Sequence, residues 1–260
     1  CDKGGEVARC MRSKSVEQVL NTIPANLLEA GDLPWAPIVD GKLIPQQPAD
    51  AIAAGLLNKV PIINGSNRDE GTLFTAFSKP LSAEQYRQAV HAQSGKYAST
   101  VLAAYPAASY VTPAQAGAAA LGDFLFSCRI LKTTELLAES APVFQYEFDD
   151  PGAARGSYPE PSFPLGAYHG SEIQYVFGNL KDDTATDAQH RLSDAIIDYW
   201  TAFMSTGDPA GAPAWTRFDA ANPKVLLLKP DGIGYESDFP KIHHCELWNS
   251  MQAASPDPHK

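Results

Sequence analysis

The sequence predicts an α/β fold on two observations. Short apolar runs of strand length alternate with segments of helical periodicity, and no internal repeat or low-complexity linker interrupts the alternation. No domain boundary is therefore expected within residues 1–260. In chain order, the first strand is Lys59-Val60-Pro61-Ile62-Ile63-Asn64-Gly65, a buried-type run closed by turn residues. Helical patterns follow over Ala83 to Ala92 and over Phe124 to Glu139. Val143 to Phe148 alternates as a strand, with Phe144, Tyr146 and Phe148 on one face. Pro151 to Pro164 is rich in Pro, Gly and Ser without periodicity, and long loops of this kind in compact domains are often functional. The clearest helix runs from Arg191 to Ser205, where Leu192, Ile196, Tyr199 and Phe203 form an apolar stripe and Gly207 and Pro209 supply the stop. Val225 to Leu228, entered after Asn222-Pro223, is a third strand.

Composition narrows the function classes. With 44% hydrophobic and 10% aromatic residues over 260 positions, the chain is a folded globular type with enough length for a sizeable core. The net charge of −10 argues against nucleic acid, whose phosphates need clustered Lys and Arg. Such a field steers cations, although solubility is the simpler account of it. No apolar run approaches the roughly 18 residues of a membrane span. The first residue is Cys1 rather than methionine, which points to a processing site, a proteolytic nick or a piece of a longer polypeptide. Four cysteines stand at 1, 10, 128 and 245 with no CxxC pair, which argues against a zinc site or a redox motif. Two disulfides and four reduced core thiols both fit this pattern. No cofactor-binding or metal-binding motif is seen.

Two segments carry candidate chemistry. Asn64-Gly65-Ser66-Asn67-Arg68-Asp69-Glu70-Gly71-Thr72 continues from the first strand, so its carboxylates fall at the carboxyl edge of a parallel sheet, where α/β enzymes place their sites. In isolation the same residues suit a solvated turn with an Arg68 ion pair. Tyr168-His169-Gly170-Ser171-Glu172-Ile173 ends the Pro-rich loop. A histidine there, followed by a glycine that lets backbone approach closely, suits a general base, and equally suits a plain surface histidine. The order, acid then histidine, matches the last two members of the Ser-acid-His sequence used by α/β-hydrolases.

Together these segments resemble the type B carboxylesterase, cholinesterase-like family. Pro37-Ile38-Val39-Asp40-Gly41 is similar to the family's "PVVDG" and Val60-Pro61 through Gly71 to its "VP…G.N.DEG". His169-Gly170-Ser171-Glu172-Ile173 with Phe177-Gly178 resembles "HG.EI…FG", and Tyr199-Trp200 through Gly207-Asp208-Pro209 and Trp215 resembles "W..F…GDP…W". The resemblance covers nearly the whole chain. It implies an α/β-hydrolase fold, of which residues 1–260 are the C-terminal portion of the central, mostly parallel sheet with its flanking helices. It implies that Glu70 is the triad acid, with Asp69 as the adjacent rival, that His169 is the base, and that Glu172 is a buried, hydrogen-bonded support. It also implies that Leu73 and Phe74 line the substrate pocket. Leu73 stands where cholinesterases carry an aromatic facing the choline cation, which disfavours a quaternary-ammonium substrate. The cysteines resemble the family's pairs, Cys1 with Cys10 and Cys128 with Cys245, which implies a secreted or periplasmic protein.

One family feature is missing. No G-x-S-x-G nucleophile elbow occurs among the serines, and the glycine-rich oxyanion loop is also absent; in family order both precede Cys1. The expected activity is hydrolysis of a small-molecule ester through an acyl-enzyme. The expected partner is the N-terminal half of the same enzyme, which carries the serine. A non-catalytic binding or adhesion module and an inactive fragment are the alternatives; retention of both Glu70 and His169 speaks against the first.

Overall fold

The computed structural model describes residues 1, 6–22, 37–181 and 183–254. It contains two compact units, Cys1–Asp50 and Ala51–Lys260. In the first, the helix Val7–Arg12 carries Cys10, which is disulfide-bonded to Cys1. A second short helix, Val16–Leu20, starts from a capping box in which Ser15 and Gln18 satisfy each other's backbone N–H groups. The Asp40 carboxylate accepts hydrogen bonds from the N–H groups of Lys42, Leu43 and Ile44, so the aspartate of the "PVVDG"-like segment builds a turn. The first of these bonds does most to hold its carboxyl below the usual range.

The second unit is built on four strands in the order β1 (Ile62–Asn67), β2 (Val143–Phe148), β3 (Val225–Leu228) and β4 (Gly234–Glu236). β1, β2 and β3 are parallel and β4 is antiparallel at the edge, so the sheet is mostly parallel as expected. β2 and β3 coincide with the expected runs, whereas β1 starts and ends later than Lys59–Gly65. Pro61 has no N–H to donate, and the first ladder bond runs from Ile62 N–H to the Pro142 carbonyl. At the far end Ser66 and Asn67 stay in register with Glu147 and Phe148, so polar residues continue the strand.

Parallel neighbours need long crossovers, and these place helices on both faces of the sheet. One face packs Val143 and Val225 against Val101, Leu131 and Trp248 from the helices Ala98–Ala104, Cys128–Ala138 and Cys245–Ala254. On the other face Phe144, Phe148, Leu226 and Leu228 meet Leu192, Ile196 and Tyr199 of the helix Asp187–Thr206. Each fully buried side chain of this size contributes roughly 1.5–3 kcal/mol. That helix begins four residues before the expected Arg191, because Thr186 and Gln189 form a capping box ahead of the apolar stripe. Gly207 ends it with a left-handed φ of 78°. Trp215 of the family-like ending is core, its ring 5.4 Å from that of Tyr199.

The segment expected as one helix over Phe124 to Glu139 is a π-helical turn, Asp123–Ser127, followed by the α-helix Cys128–Ala138. An Ala-rich helix, Pro113–Gly122, precedes the turn. Its small side chains give it no strong stripe, which is why periodicity does not reveal it. Its backbone lies directly on Gly71: a Cβ there would stand 2.0 Å from the Ala118 carbonyl oxygen. The glycine of the DEG triplet is thus required by close approach.

Among the described residues no helix is long and apolar enough to cross a membrane. The second disulfide, Cys128–Cys245, joins two helix N-termini 117 residues apart. Replacing both cysteines by alanine is expected to lower unfolding free energy by about 5 kcal/mol on the chain-entropy estimate. Urea denaturation of the protein checks this, and an unchanged midpoint contradicts it.

Candidate active site

β1 delivers Asn67 to the carboxyl edge of the sheet, and Arg68, Asp69 and Glu70 turn away from it there. The loop ahead of His169 runs alongside this turn. An isolated parallel bridge pairs Asp69 with Tyr168, and Asp69 N–H donates to the Ala167 carbonyl at 3.0 Å. Ala167 N–H returns a bond to Asp69 Oδ2 at 3.0 Å, and Asn67 Nδ2 donates to the Tyr168 carbonyl at 2.8 Å. The same amide also donates to Glu172, which is half-buried. Two loops from distant parts of the sequence are thereby fastened side by side.

The result is a close pair. Glu70 Oε2 lies 2.6 Å from His169 Nδ1, while Glu70 Oε1 accepts the Asn67 N–H at 2.8 Å. Of the two adjacent carboxylates, Glu70 reaches the imidazole and Asp69 is engaged with Ala167. Glu70 is 5% exposed, and burial raises its pKa against the opposing pull of the Asn67 N–H and His169. The His169 side chain is 46% exposed, and its Nε2 makes no hydrogen bond among the described residues. An imidazole oriented by a buried carboxylate on Nδ1, with Nε2 open, can accept a proton from a nucleophile and later return it.

Gly170, expected to permit close backbone approach, has another reason to be glycine. Its φ is +82°, and a Cβ would meet only Ile173 Cδ1 at 3.6 Å, so the left-handed turn after His169 is the requirement. The Pro-rich loop packs inward through Phe163 and Leu165, which join Ala76, Ala114, Ala118 and Tyr168 in a small core.

Phe74 stands beside the imidazole with ring centroids 5.3 Å apart. Leu73 is partly buried against the small core containing Ala76 and Tyr168. Sequence reasoning missed Phe126. It sits in the π-helical turn, 4.9 Å from the His169 ring and stacked on Phe74 at 5.9 Å with 7° between planes. No local motif marks it, because the extra residue of a π-turn changes which side chains face a site. Ser66 and Ser171 are buried, and no serine hydroxyl bonds to His169 among the described residues. No group of His, Cys, Asp and Glu among those residues is arranged to hold a metal ion.

A mostly parallel sheet with helices on both faces, and an acid–histidine pair at its carboxyl edge, define the chain as part of an α/β-hydrolase. The model of the carboxylesterase family matches residues 1–248, and the chain belongs to that family. It is 29% identical to a phenmedipham hydrolase of Pseudarthrobacter oxydans, over 84% of this chain and 45% of the relative. To acetylcholinesterase 1 of Caenorhabditis elegans it is 26% identical, over 93% of this chain and 45% of the relative. A solved PNB esterase superposes with a TM-score of 0.68 at 26% identity, covering 93% of this chain and 50% of that one. The chain spans about half the length of the curated relatives it matches.

The Asp69 carboxyl is raised to about 6, mainly by burial. A carboxyl raised in the folded state favours its protonated form there. The stability linked to it is full below the ordinary value of 3.8 and is lost as pH rises through about 6. Asp69→Asn is expected to flatten the stability profile across that window. Denaturant midpoints measured from pH 4 to 7 check this (range about that of the two pKa values); an unaltered slope contradicts it.

Proposed function

We propose that this chain provides the acid and the base of a Ser-His-Glu triad in a carboxylic ester hydrolase. The observation that carries the reading is the 2.6 Å contact between buried Glu70 and an imidazole whose Nε2 edge is open beside Phe74 and Phe126. In this mechanism a serine hydroxyl attacks the ester carbonyl while His169 Nε2 takes its proton. The tetrahedral intermediate collapses as His169 gives that proton to the departing alcohol, leaving an acyl-serine. His169 then deprotonates water, whose attack releases the acid and restores the serine. Glu70 holds the Nδ1–H tautomer and stabilises the imidazolium at each step. Glu172 acts through Asn67, whose amide it accepts and whose N–H fixes Glu70.

In this proposal residues 1–260 form the C-terminal half of one α/β-hydrolase domain. Its N-terminal half contributes the serine and the oxyanion hole; family order supports this. The pocket reading assigns Leu73 and Phe74 to the substrate, with Phe126 completing an apolar wall. The substrate is then a small-molecule ester, and a quaternary-ammonium one is disfavoured because Leu73 offers no aromatic face to the cation. The two disulfides support a secreted or periplasmic location.

The test uses the complete natural polypeptide with a p-nitrophenyl ester and a fluorophosphonate label. His169→Ala is expected to cut kcat by roughly 10³-fold or more, and Glu70→Gln by about 10²–10⁴-fold through loss of imidazolium stabilisation. Wild-type turnover in His169→Ala removes His169 from the site, and no turnover with no labelled serine removes the hydrolase reading in favour of a binding module. A larger defect in Asp69→Asn than in Glu70→Gln reverses the choice of acid.

A further inference from the structure

A second histidine lies between carboxylates, away from the Glu70–His169 pair. His243 is 2% exposed, and its ring is held at both nitrogens. Nδ1 is 2.5 Å from Asp123 Oδ1, and Nε2 is 2.6 Å from Glu147 Oε1. Glu147, wholly buried on β2, accepts on its other oxygen from Arg68 Nη1 at 3.0 Å. Asp123 accepts on its other oxygen from the Tyr105 hydroxyl at 2.7 Å, and Tyr105 in turn accepts from Trp248 Nε1 at 2.8 Å. Phe239 covers the imidazole with centroids 4.4 Å apart. The groups facing His243 are therefore two carboxylates, one phenol behind them and one aromatic ring.

Bases and acids alternate along this chain: Arg68, Glu147, His243 and Asp123. An imidazole that donates to a carboxylate from each nitrogen is a cation. Burial pulls its pKa down, but the bonds to Asp123 and Glu147 outweigh that and lift it to about 9. With both nitrogens occupied, His243 has no site for a substrate proton. Its position gives it another use. Arg68 lies two residues before Glu70, and its N–H also donates to the Phe148 carbonyl at 2.9 Å. Asp123 opens the π-turn that carries Phe126 to the His169 ring.

We propose that His243 is a positioning residue of the Glu70–His169 site, acting through Glu147 and Arg68 on the loop that carries Glu70. This rests on the hydrolase reading above. The imidazolium neutralises one side of Glu147, so Glu147 can anchor the Arg68 guanidinium rigidly. Arg68 then holds the backbone from which Glu70 projects. Without that anchor Glu70 Oε2 drifts from Nδ1, and the imidazolium formed during turnover loses stabilisation.

The experiment compares Arg68→Met and Arg68→Lys in the complete natural polypeptide, with kcat counted per fluorophosphonate-titrated site. Arg68→Met is expected to lower kcat about tenfold with KM within about twofold, as a misplaced group does. Arg68→Lys, which keeps the charge, should restore most of kcat. A purely structural role changes the melting temperature and leaves kcat per titrated site at its wild-type value, which overturns the proposal. Nitrogen-15 NMR of the unmodified enzyme tests it without a variant: His243 should be doubly protonated at neutral pH, and a neutral ring there overturns it. His169→Ala is the control. If it retains wild-type turnover, both readings fall; if it is inactive while Arg68→Met behaves as wild type, only the positioning role falls.

Discussion

Every feature of the candidate site depends on keeping carboxylates at the interior edge of a parallel sheet. Among the described residues Glu70, Asp123, Glu147 and Asp150 are each no more than 6% exposed. An isolated carboxylate moved into such surroundings faces a desolvation cost of several kcal/mol, so each must be met by donors or cations. The structure meets each differently. Glu70 has a backbone N–H and one imidazole, and Glu147 has a guanidinium and another imidazole. Asp150 has the Gly152 N–H, the Tyr175 hydroxyl and Gln189 Nε2. Gln189 belongs to the capping box of the helix Asp187–Thr206, so compensation of that charge also fixes where the helix begins.

The two histidines show how placement decides chemistry. Both bond a carboxylate at about the same distance through Nδ1, 2.6 Å for His169 and 2.5 Å for His243. His243 spends its second nitrogen on Glu147, and its side chain is 3% exposed. His169 keeps its second nitrogen open and is 46% exposed, shielded on one side by Phe74 and Phe126. One is closed to solvent with both nitrogens engaged; the other has a nitrogen edge that a proton can reach. The difference arises because His243 is buried beneath Phe239 between two carboxylates, whereas His169 follows a loop that Asp69 and Asn67 fasten at the sheet edge.

These distinctions bound what could be read from sequence. β2 was legible from the alternation that puts Phe144, Tyr146 and Phe148 on one face, and β3 from a continuous apolar run of strand length. β1 was displaced because its last residues are polar, although Asn67 earns its place by bonding Tyr168 and Glu172. The Glu70–His169 pairing was legible only from order and family resemblance; nothing local separates Glu70 from Asp69. Their roles part by one backbone step, which turns Asp69 toward Ala167 and Glu70 toward the imidazole. Phe126 and His243 were invisible for a shared reason. Their surroundings come from contacts between distant parts of the sequence, Phe126 with Phe74 and His169, and His243 with Glu147 across a separation of 96.

The Cys128–Cys245 bond gives these long-range contacts a common anchor. Cys128 begins the helix directly after the π-turn, one residue past Ser127, and Cys245 comes two residues after His243. The bond therefore lies beside the contact between Asp123 and His243, which the chain would otherwise have to close over a separation of 120 residues. Closing a loop of that length costs entropy that the disulfide removes from the unfolded state. It acts on the same two segments that the buried His243 side chain joins. Covalent and ionic links thus constrain one junction, and from that junction Glu147 and Arg68 reach toward Glu70 while the π-turn reaches toward Phe126. Stability at the C-terminal helix and geometry at the sheet edge are consequently one problem in this fold.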